Sequence, residues 1–197
     1  MSTLQQKFGQ IDIYLFDQLL RGNITPGIRI LDAGCGSGRN LTYLLGEGYE
    51  VFACDQSPAA IEQTRAIAPN LPAENLRLEP IEAISYPDAT FDVVLCSAVL
   101  HFARDDAHFT AMLHGAWRAL KPGGLFFCRL ASTIGMQHQR LSGRRFLSPD
   151  GEERYLVDES LLLELTAELG AHMVDPIKTT VVQNQRCMTT WVLRKNR

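Results

Sequence analysis

The chain has 197 residues and a mass of 22.0 kDa, which fits one domain. Apolar residues at 46% and charged residues at 21% suit a soluble globular core and exclude a disordered tail, a collagen-like rod and a disulfide scaffold. A net charge of -3 argues against general affinity for nucleic acid or anionic membrane, leaving only a local patch for specific nucleic-acid contacts. Five cysteines without C-x-x-C spacing read as buried reduced thiols in a reducing, cytoplasmic compartment. The first residues lack a basic segment followed by an apolar one, and no apolar run approaches the ~18 residues of a membrane span.

Apolar side chains at Phe8, Ile11, Leu15, Leu19 and Leu20 predict a helix over 8–21, broken by Gly22-Asn23 and Pro26-Gly27. Residues 28–32 read as a strand entering a glycine-rich turn, and 39–47 as the helix after it. A second strand covers 49–54, after which Ser57 as N-cap and Pro58 at the first helical position open a second helix. Residues 76–78 and 91–96 are the third and fourth strands, the fourth apolar enough for burial on both faces. A helix over 105–120 and the turn Lys121-Pro122-Gly123-Gly124 lead into a fifth strand, 125–130. Strands alternating with helices predict an α/β fold, a doubly wound, mostly parallel sheet with helices on both faces. Residues 132–157 mix Gly, Ser, Pro and Arg and read as an insertion, 158–169 as a helix. Residues 174–182 and 187–193 read as a C-terminal antiparallel hairpin closing one sheet edge.

The most informative stretch is Asp32-Ala33-Gly34-Cys35-Gly36-Ser37-Gly38-Arg39-Asn40, a glycine-rich turn between a strand and a helix. A dinucleotide fingerprint wants G-x-G-x-x-G, but Arg39 holds the sixth position and the third glycine arrives early, at Gly38. Asp32 ends the strand just before the turn. A pyrophosphate there would be repelled by its carboxylate, on the order of several kcal/mol in a partly desolvated cleft. A cationic ligand is favoured instead. S-adenosylmethionine (SAM), with its ammonium and sulfonium, therefore fits better than NAD; an unliganded turn and a dinucleotide enzyme are the competing readings. Asp55, at the end of the second strand, can accept hydrogen bonds from a ribose diol, or serve as a helix N-terminal charge beside Ser57 worth about 0.3–1 kcal/mol.

In these residues the chain resembles the class I SAM-dependent methyltransferases, whose first motif is an acidic residue followed by G-x-G-x-G. The stretch Ile84 through Phe91-Asp92-Val93-Val94 and the run Ala119-Leu-Lys-Pro-Gly-Gly-Leu125 extend the likeness over roughly residues 28–130. The resemblance implies a seven-stranded sheet and SAM as cofactor. It places Asp32, Ala33, Gly34, Cys35, Gly36, Arg39 and Asn40 around the cofactor, Asp55 and Gln56 at its ribose, and Ser97 in the cleft. Pro80 stands where the family often has an aspartate, so the adenine is left to the Ile81 amide and the Glu82 carboxylate. The implied layout is one domain over 1–197: an N-terminal helical segment (1–25), a cofactor-binding core (26–131), a substrate-cap insertion (132–157), and the last helix with the hairpin (158–197).

Cys96-Ser97-Ala98-Val99 follows the fourth strand where nucleic-acid base methyltransferases carry Asp/Asn-Pro-Pro-aromatic or a Pro-Cys nucleophile. A small-molecule acceptor is the expectation, with nucleic acid disfavoured, no membrane partner and no metal. His101 is the candidate general base, because an unperturbed imidazole titrates near neutrality; packing beside the cofactor is its other reading. The layout is similar to small methyltransferases of the tellurite-resistance type, through Gly38-Arg39-Asn40, the aromatic-acidic stretch before the last helix and Gln185-Arg186-Cys187. That likeness implies that Arg186 meets an anionic acceptor, assisted by Arg140, Arg144 and Arg145, each of which reads alternatively as part of a solvated charged face. Met136 and His138 are candidate pocket residues. The expected activity is in-line transfer of a methyl group from SAM; a SAM-binding sensor or partner subunit without turnover is the alternative.

Overall fold

A computed structural model describes residues 3–137 and 139–197. The chain opens with two short helices, α1 (Leu4–Phe8) and α2 (Ile13–Leu20), where apolar spacing predicted one over 8–21. Gly9 adopts φ +59°, and a Cβ on it would sit 3.1 Å from Thr42. The side chain of Asp12 accepts from the Tyr14 amide at 3.0 Å, capping the start of α2. Helical periodicity continues through this break because the apolar side chains on both sides face the same core.

The central α/β run follows: β1 (Arg29–Ala33), α3 (Leu41–Gly46), β2 (Glu50–Asp55), α4 (Pro58–Ile67), β3 (Leu76–Leu78), β4 (Phe91–Ser97), α5 (Asp106–Ala119) and β5 (Leu120–Ala131). The helix starts obey the expected capping chemistry. Ser57 accepts from Ala60, and Asp105 accepts from His108 at 2.7 Å. β5 begins five residues earlier than expected, because Leu120 pairs with Phe91 and the turn at 121–124 is absorbed as an irregularity between Phe91 and Val93. The insertion folds as a separate antiparallel sheet, β6 (Gln139–Ser142), β7 (Arg145–Leu147) and β8 (Glu153–Tyr155). It is anchored by Tyr155, which stacks on Phe109 at 4.7 Å and donates to Asp106 at 2.8 Å. Asp158 caps α6 (Glu159–Glu168), and β9 (Ala171–Met173), β10 (Lys178–Val182) and β11 (Arg186–Lys195) complete the chain.

The main sheet runs β10-β11-β5-β4-β1-β2-β3, with β9 also pairing with β11. All pairs from β5 to β3 are parallel and those of β11 antiparallel. Seven positions across the sheet are thus filled by eight strands. The first hairpin strand, predicted over 174–182, starts only at Lys178 as β10, and a further short strand, β9, precedes it. Between them Pro176 has no amide hydrogen for the ladder, and Asp175 turns inward to meet Gln18 at 2.8 Å and Arg21 at 2.6 Å. Alternate residues of the strands feed two cores. Leu31, Val94, Phe126 and Trp191 pack with α5 and α6 on one face; Ile30, Val51, Leu95 and Phe127 pack with α3 and α4 on the other. All five cysteines are buried and reduced. Among the described residues no helix is long and apolar enough to cross a membrane.

Reversal of strand order between β4 and β1 leaves a crevice at the carboxyl ends of the parallel strands, the position where open α/β sheets bind ligands. Helix α5 supports one wall. Gly115 lies so close to the 3-10 turn Ile81–Ala83 that a Cβ would collide with the Ile81 carbonyl. Gly115→Ala is therefore expected to destabilise the fold by about 1–3 kcal/mol and to displace the 81–83 turn, measurable as a lowered Tm in thermal unfolding.

Candidate functional site

The glycine-rich turn is held from behind. The amides of Gly34 and Cys35 both donate to the Cys54 carbonyl, at 2.8 and 2.9 Å. Beyond them the Gly36 amide donates to Asp55 Oδ2 at 2.9 Å, while Asp55 Oδ1 accepts from the Ser57 amide at 2.9 Å. One carboxylate thus fixes the turn, the end of β2 and the start of α4. Two glycines do different work. A Cβ on Gly34 would sit 2.6 Å from Val99, so only glycine lets β4's continuation approach. At Gly36, with φ +55°, a Cβ would meet no protein atom within 4 Å; it would project into open space.

That space is a cavity of about 340 Å³. Of the predicted cofactor residues, Gly34, Gly36, Asp55, Gln56, Ile81 and Glu82 line it. Ala33 and Cys35 are buried behind it, the Cys35 thiol pushed up by burial and kept protonated. Asp32 is 1% exposed, and its Oδ2 has no hydrogen-bond partner among the described residues. Burial raises its carboxyl to about 7, although Arg39 and Asn40 pull the other way. A carboxylate this deep and one partner short suits a cationic ligand group nearby. Phe102, from the stretch after β4, joins the wall, and two residues that sequence reasoning missed complete it: His108 and Met112 from α5. The Arg104 amide donates to His108 Nδ1 at 3.1 Å, which leaves the proton on Nε2, 3.2 Å from Glu82 Oε1. Glu82 is therefore held in place by a neighbour 26 positions away in the chain.

Arg39, Asn40 and Ser97, also expected at the cofactor, are gathered instead around Asp12. Its Oδ2 accepts from Arg39 Nη2 at 3.1 Å, Ser97 Oγ at 3.1 Å and Arg129 Nη1 at 3.2 Å. The Asp12 amide donates to Asn40 Oδ1 at 3.0 Å. Arg129 also lies over the Tyr14 ring at 5.0 Å, and the Tyr14 hydroxyl bonds to Thr180 on β10.

A second cavity, of about 230 Å³, opens on the far side of this cluster and shares Ala98 with the first. Ala98 itself is held at φ +66°, its amide donating to the Arg129 carbonyl at 2.7 Å. Arg39, Arg129, Arg154 and Arg186 all line the second cavity. Arg186 is where the sequence placed it, at the cavity and exposed. The three arginines expected to assist do not reach the cavity: Arg144 pairs with Asp158, Arg145 with Glu153, and Arg140 lies over Phe146. Met136 lines neither cavity, and His138 lies outside the described residues.

His101 also lines the second cavity, but its geometry is that of a donor, not a base. The Ala131 amide donates to its Nδ1 at 3.2 Å, which puts the ring proton on Nε2. Burial, with Arg154 and Arg129 nearby, lowers its pKa to about 3, so it stays neutral. Among the described residues no cluster of His, Cys, Asp or Glu could hold a metal ion.

Removing Asp12 would leave the largely buried Arg129 and Ser97 without their common acceptor. Breaking one side of a buried ion pair costs about 3–5 kcal/mol. Asp12→Ala is expected at the lower end, because Arg39 keeps contact with water; chemical denaturation would measure it, and a loss under about 1 kcal/mol would show the cluster to be marginal.

Comparison with known proteins agrees with this architecture. Residues 31–128 match the methyltransferase domain family. The chain is 42% identical over 102 residues to a ubiquinone biosynthesis O-methyltransferase of Methylocella silvestris, covering 51% of this chain and 39% of that one. It is 33% identical over 103 residues to an uncharacterised methyltransferase of Synechocystis, covering 52% and 47%. The match spans less than half the length of each of these relatives. The fold superimposes with a TM-score of 0.73 and 20% identity on 1,6-didemethyltoxoflavin-N1-methyltransferase of Burkholderia thailandensis, solved with its acceptor and S-adenosylhomocysteine, covering 96% of this chain and 80% of that one. With motif order, fold and domain match in agreement, the chain belongs, through residues 31–128, to the class I SAM-dependent methyltransferases.

Proposed function

We propose that the protein transfers a methyl group from SAM, held in the first cavity, to a small anionic acceptor held in the second. The observation that carries this reading is the meeting of two cavities of opposite charge at Ala98. Asp55 and Glu82 line the first and Asp32 lies buried behind it, whereas four arginines line the second. SAM supplies a methyl group made electrophilic by its sulfonium.

The residues present fit that group. The open face of Gly36 admits a ligand against the backbone, and the Asp55 carboxylate keeps lone pairs for a ribose diol beyond the two amides it already accepts. Ile81 and Glu82 stand where the adenine would lie, Gln56 beside the ribose. Asp32 offers its unpartnered oxygen towards the positive end of the cofactor, directly or through water. The protein's main contribution is alignment, since holding two reactants in a near-attack geometry is worth about 7–11 kcal/mol. Arg186, with Arg154, would hold the acceptor, and neutral His101 would donate a hydrogen bond to it from Nε2. The same arginine placement supports the finer likeness to the tellurite-resistance type, in which the late hairpin meets an anion.

The acidity of Asp32 gives a test by calorimetry. Its folded pKa of about 7 lies above its ordinary value, so below pH 7 the carboxyl is neutral and attracts a cation less. SAM affinity is expected to rise as pH passes upward through 7 and then level off, with proton release on binding. Asp32→Asn should flatten this dependence, and NADH should give no binding. A SAM affinity independent of pH in the unaltered protein would remove Asp32 from the site.

A further inference from the structure

Four guanidinium groups surround the second cavity, and three carboxylates answer them, Arg154 meeting Glu152 at 3.6 Å as well as Asp150. Asp12 is shared by Arg39 and Arg129, and Asp150 pairs with Arg154 at 3.3 Å. Arg186 has no ion pair or side-chain hydrogen bond among the described residues. The excess is positive, and planar guanidinium forks match a carboxylate by two parallel hydrogen bonds.

The titratable groups facing this cavity other than the arginines all hold hydrogen bonds. His101 accepts at Nδ1 and carries its proton on Nε2. The Cys187 thiol donates to the Ile134 carbonyl at 2.8 Å, and burial keeps it protonated. Asp150 receives Arg154 on Oδ2 and the Glu152 amide on Oδ1. Asp150 apart, held by its two donors, none of them offers a free basic atom to an acceptor. An amine would enter as a cation, against the arginines, and phenols and thiols, with ordinary pKa values of about 10 and 8.5, need help to ionise. A carboxylic acid, at about 4, needs none. The volume of about 230 Å³ lies below the range of ~300–1,000 Å³ for drug-sized ligands, which limits the acceptor to a small acid.

We infer that the acceptor is a small carboxylate, bound as its anion by Arg154 and Arg186 and converted to its methyl ester without a base from the protein. This rests on the reading of the two cavities as cofactor and acceptor sites. A carboxylate oxygen forms the new bond to the methyl carbon as the carbon–sulfur bond of SAM breaks, and the electron pair of that bond passes to sulfur. The carboxylate charge and the sulfonium charge disappear together, and no proton changes place.

The test uses the full chain saturated with S-adenosylhomocysteine and titrated calorimetrically with acetate, benzoate and succinate, against benzamide and benzylamine. At least one carboxylate is expected to bind tenfold or more tightly than benzamide, and benzylamine not at all. Arg186→Ala should weaken that carboxylate at least tenfold and Arg186→Lys less, with S-adenosylhomocysteine affinity unchanged in both; Arg186 is exposed, so neither change threatens the fold. With methyl-labelled SAM, the product should release labelled methanol in base, as a methyl ester does. Benzamide or benzylamine binding as tightly as the carboxylates, or no carboxylate binding, would overturn the inference. So would arginine variants that lose S-adenosylhomocysteine instead, because the cluster would then serve the cofactor. Failure of the unaltered protein to bind S-adenosylhomocysteine would contradict the cofactor reading itself.

Discussion

The Asp12 carboxylate is the constraint on which the arrangement of both cavities depends. It is buried in the N-terminal segment yet accepts from Arg39 at the end of the glycine-rich turn, from Ser97 at the end of β4 and from Arg129 on β5. Three elements of the sheet's carboxyl edge are thereby tied to a segment that pairs with none of them. A buried carboxylate is tolerated only when its lone pairs are answered, and here each donor is itself a wall or neighbour of a cavity. Tyr14, two residues on, carries the same connection to β10 through Thr180. The N-terminal segment is thus part of the site.

The two cavities divide the charge between them. The carboxylates Asp32, Asp55 and Glu82 stand at β1, β2 and beyond β3, whereas the guanidiniums come from the glycine-rich turn (Arg39), β5 (Arg129), β8 (Arg154) and β11 (Arg186), with Ala98 shared by the two cavities. In a cleft partly shielded from water such a division is felt over its whole length. On the proposed function, it would sort a sulfonium-bearing cofactor from an anionic acceptor before any specific contact forms. His101 stands on the cationic side and is held neutral first by its burial and then by Arg154 and Arg129, which oppose a further positive charge.

Local signals made much of the fold legible. Ser57 with Pro58, Asp105 and Asp158 mark helix starts within three residues of themselves, and the turn from Asp32 to Gly38 announces its own geometry. Asp55 follows from its place at a strand end. What depends on long-range partners was not legible. Asp12 and Arg129 are 117 positions apart, and nothing near Asp12 distinguishes it from a surface helix residue. For the same reason the arginines of the insertion were misassigned. Arg140, Arg144 and Arg145 stand close together in the chain, but the β6-β7-β8 sheet turns them to Phe146, Asp158 and Glu153, and it is Arg154 that the sheet delivers to the cavity. The late start of the edge strand had a local sign in Pro176, whose meaning depended on which neighbour lay beside it.

The central claim is that the two cavities hold the two reactants with Ala98 between them. A crystal structure of the protein with S-adenosylhomocysteine tests this most directly. The account places the adenosine against Gly36 and Asp55, and the sulfur at the Ala98 junction facing the arginine-lined cavity, so that a reacting atom could approach to about 3–3.5 Å of the missing methyl. A cofactor lying in the arginine-lined cavity, or with its sulfur turned away from Ala98, would contradict it.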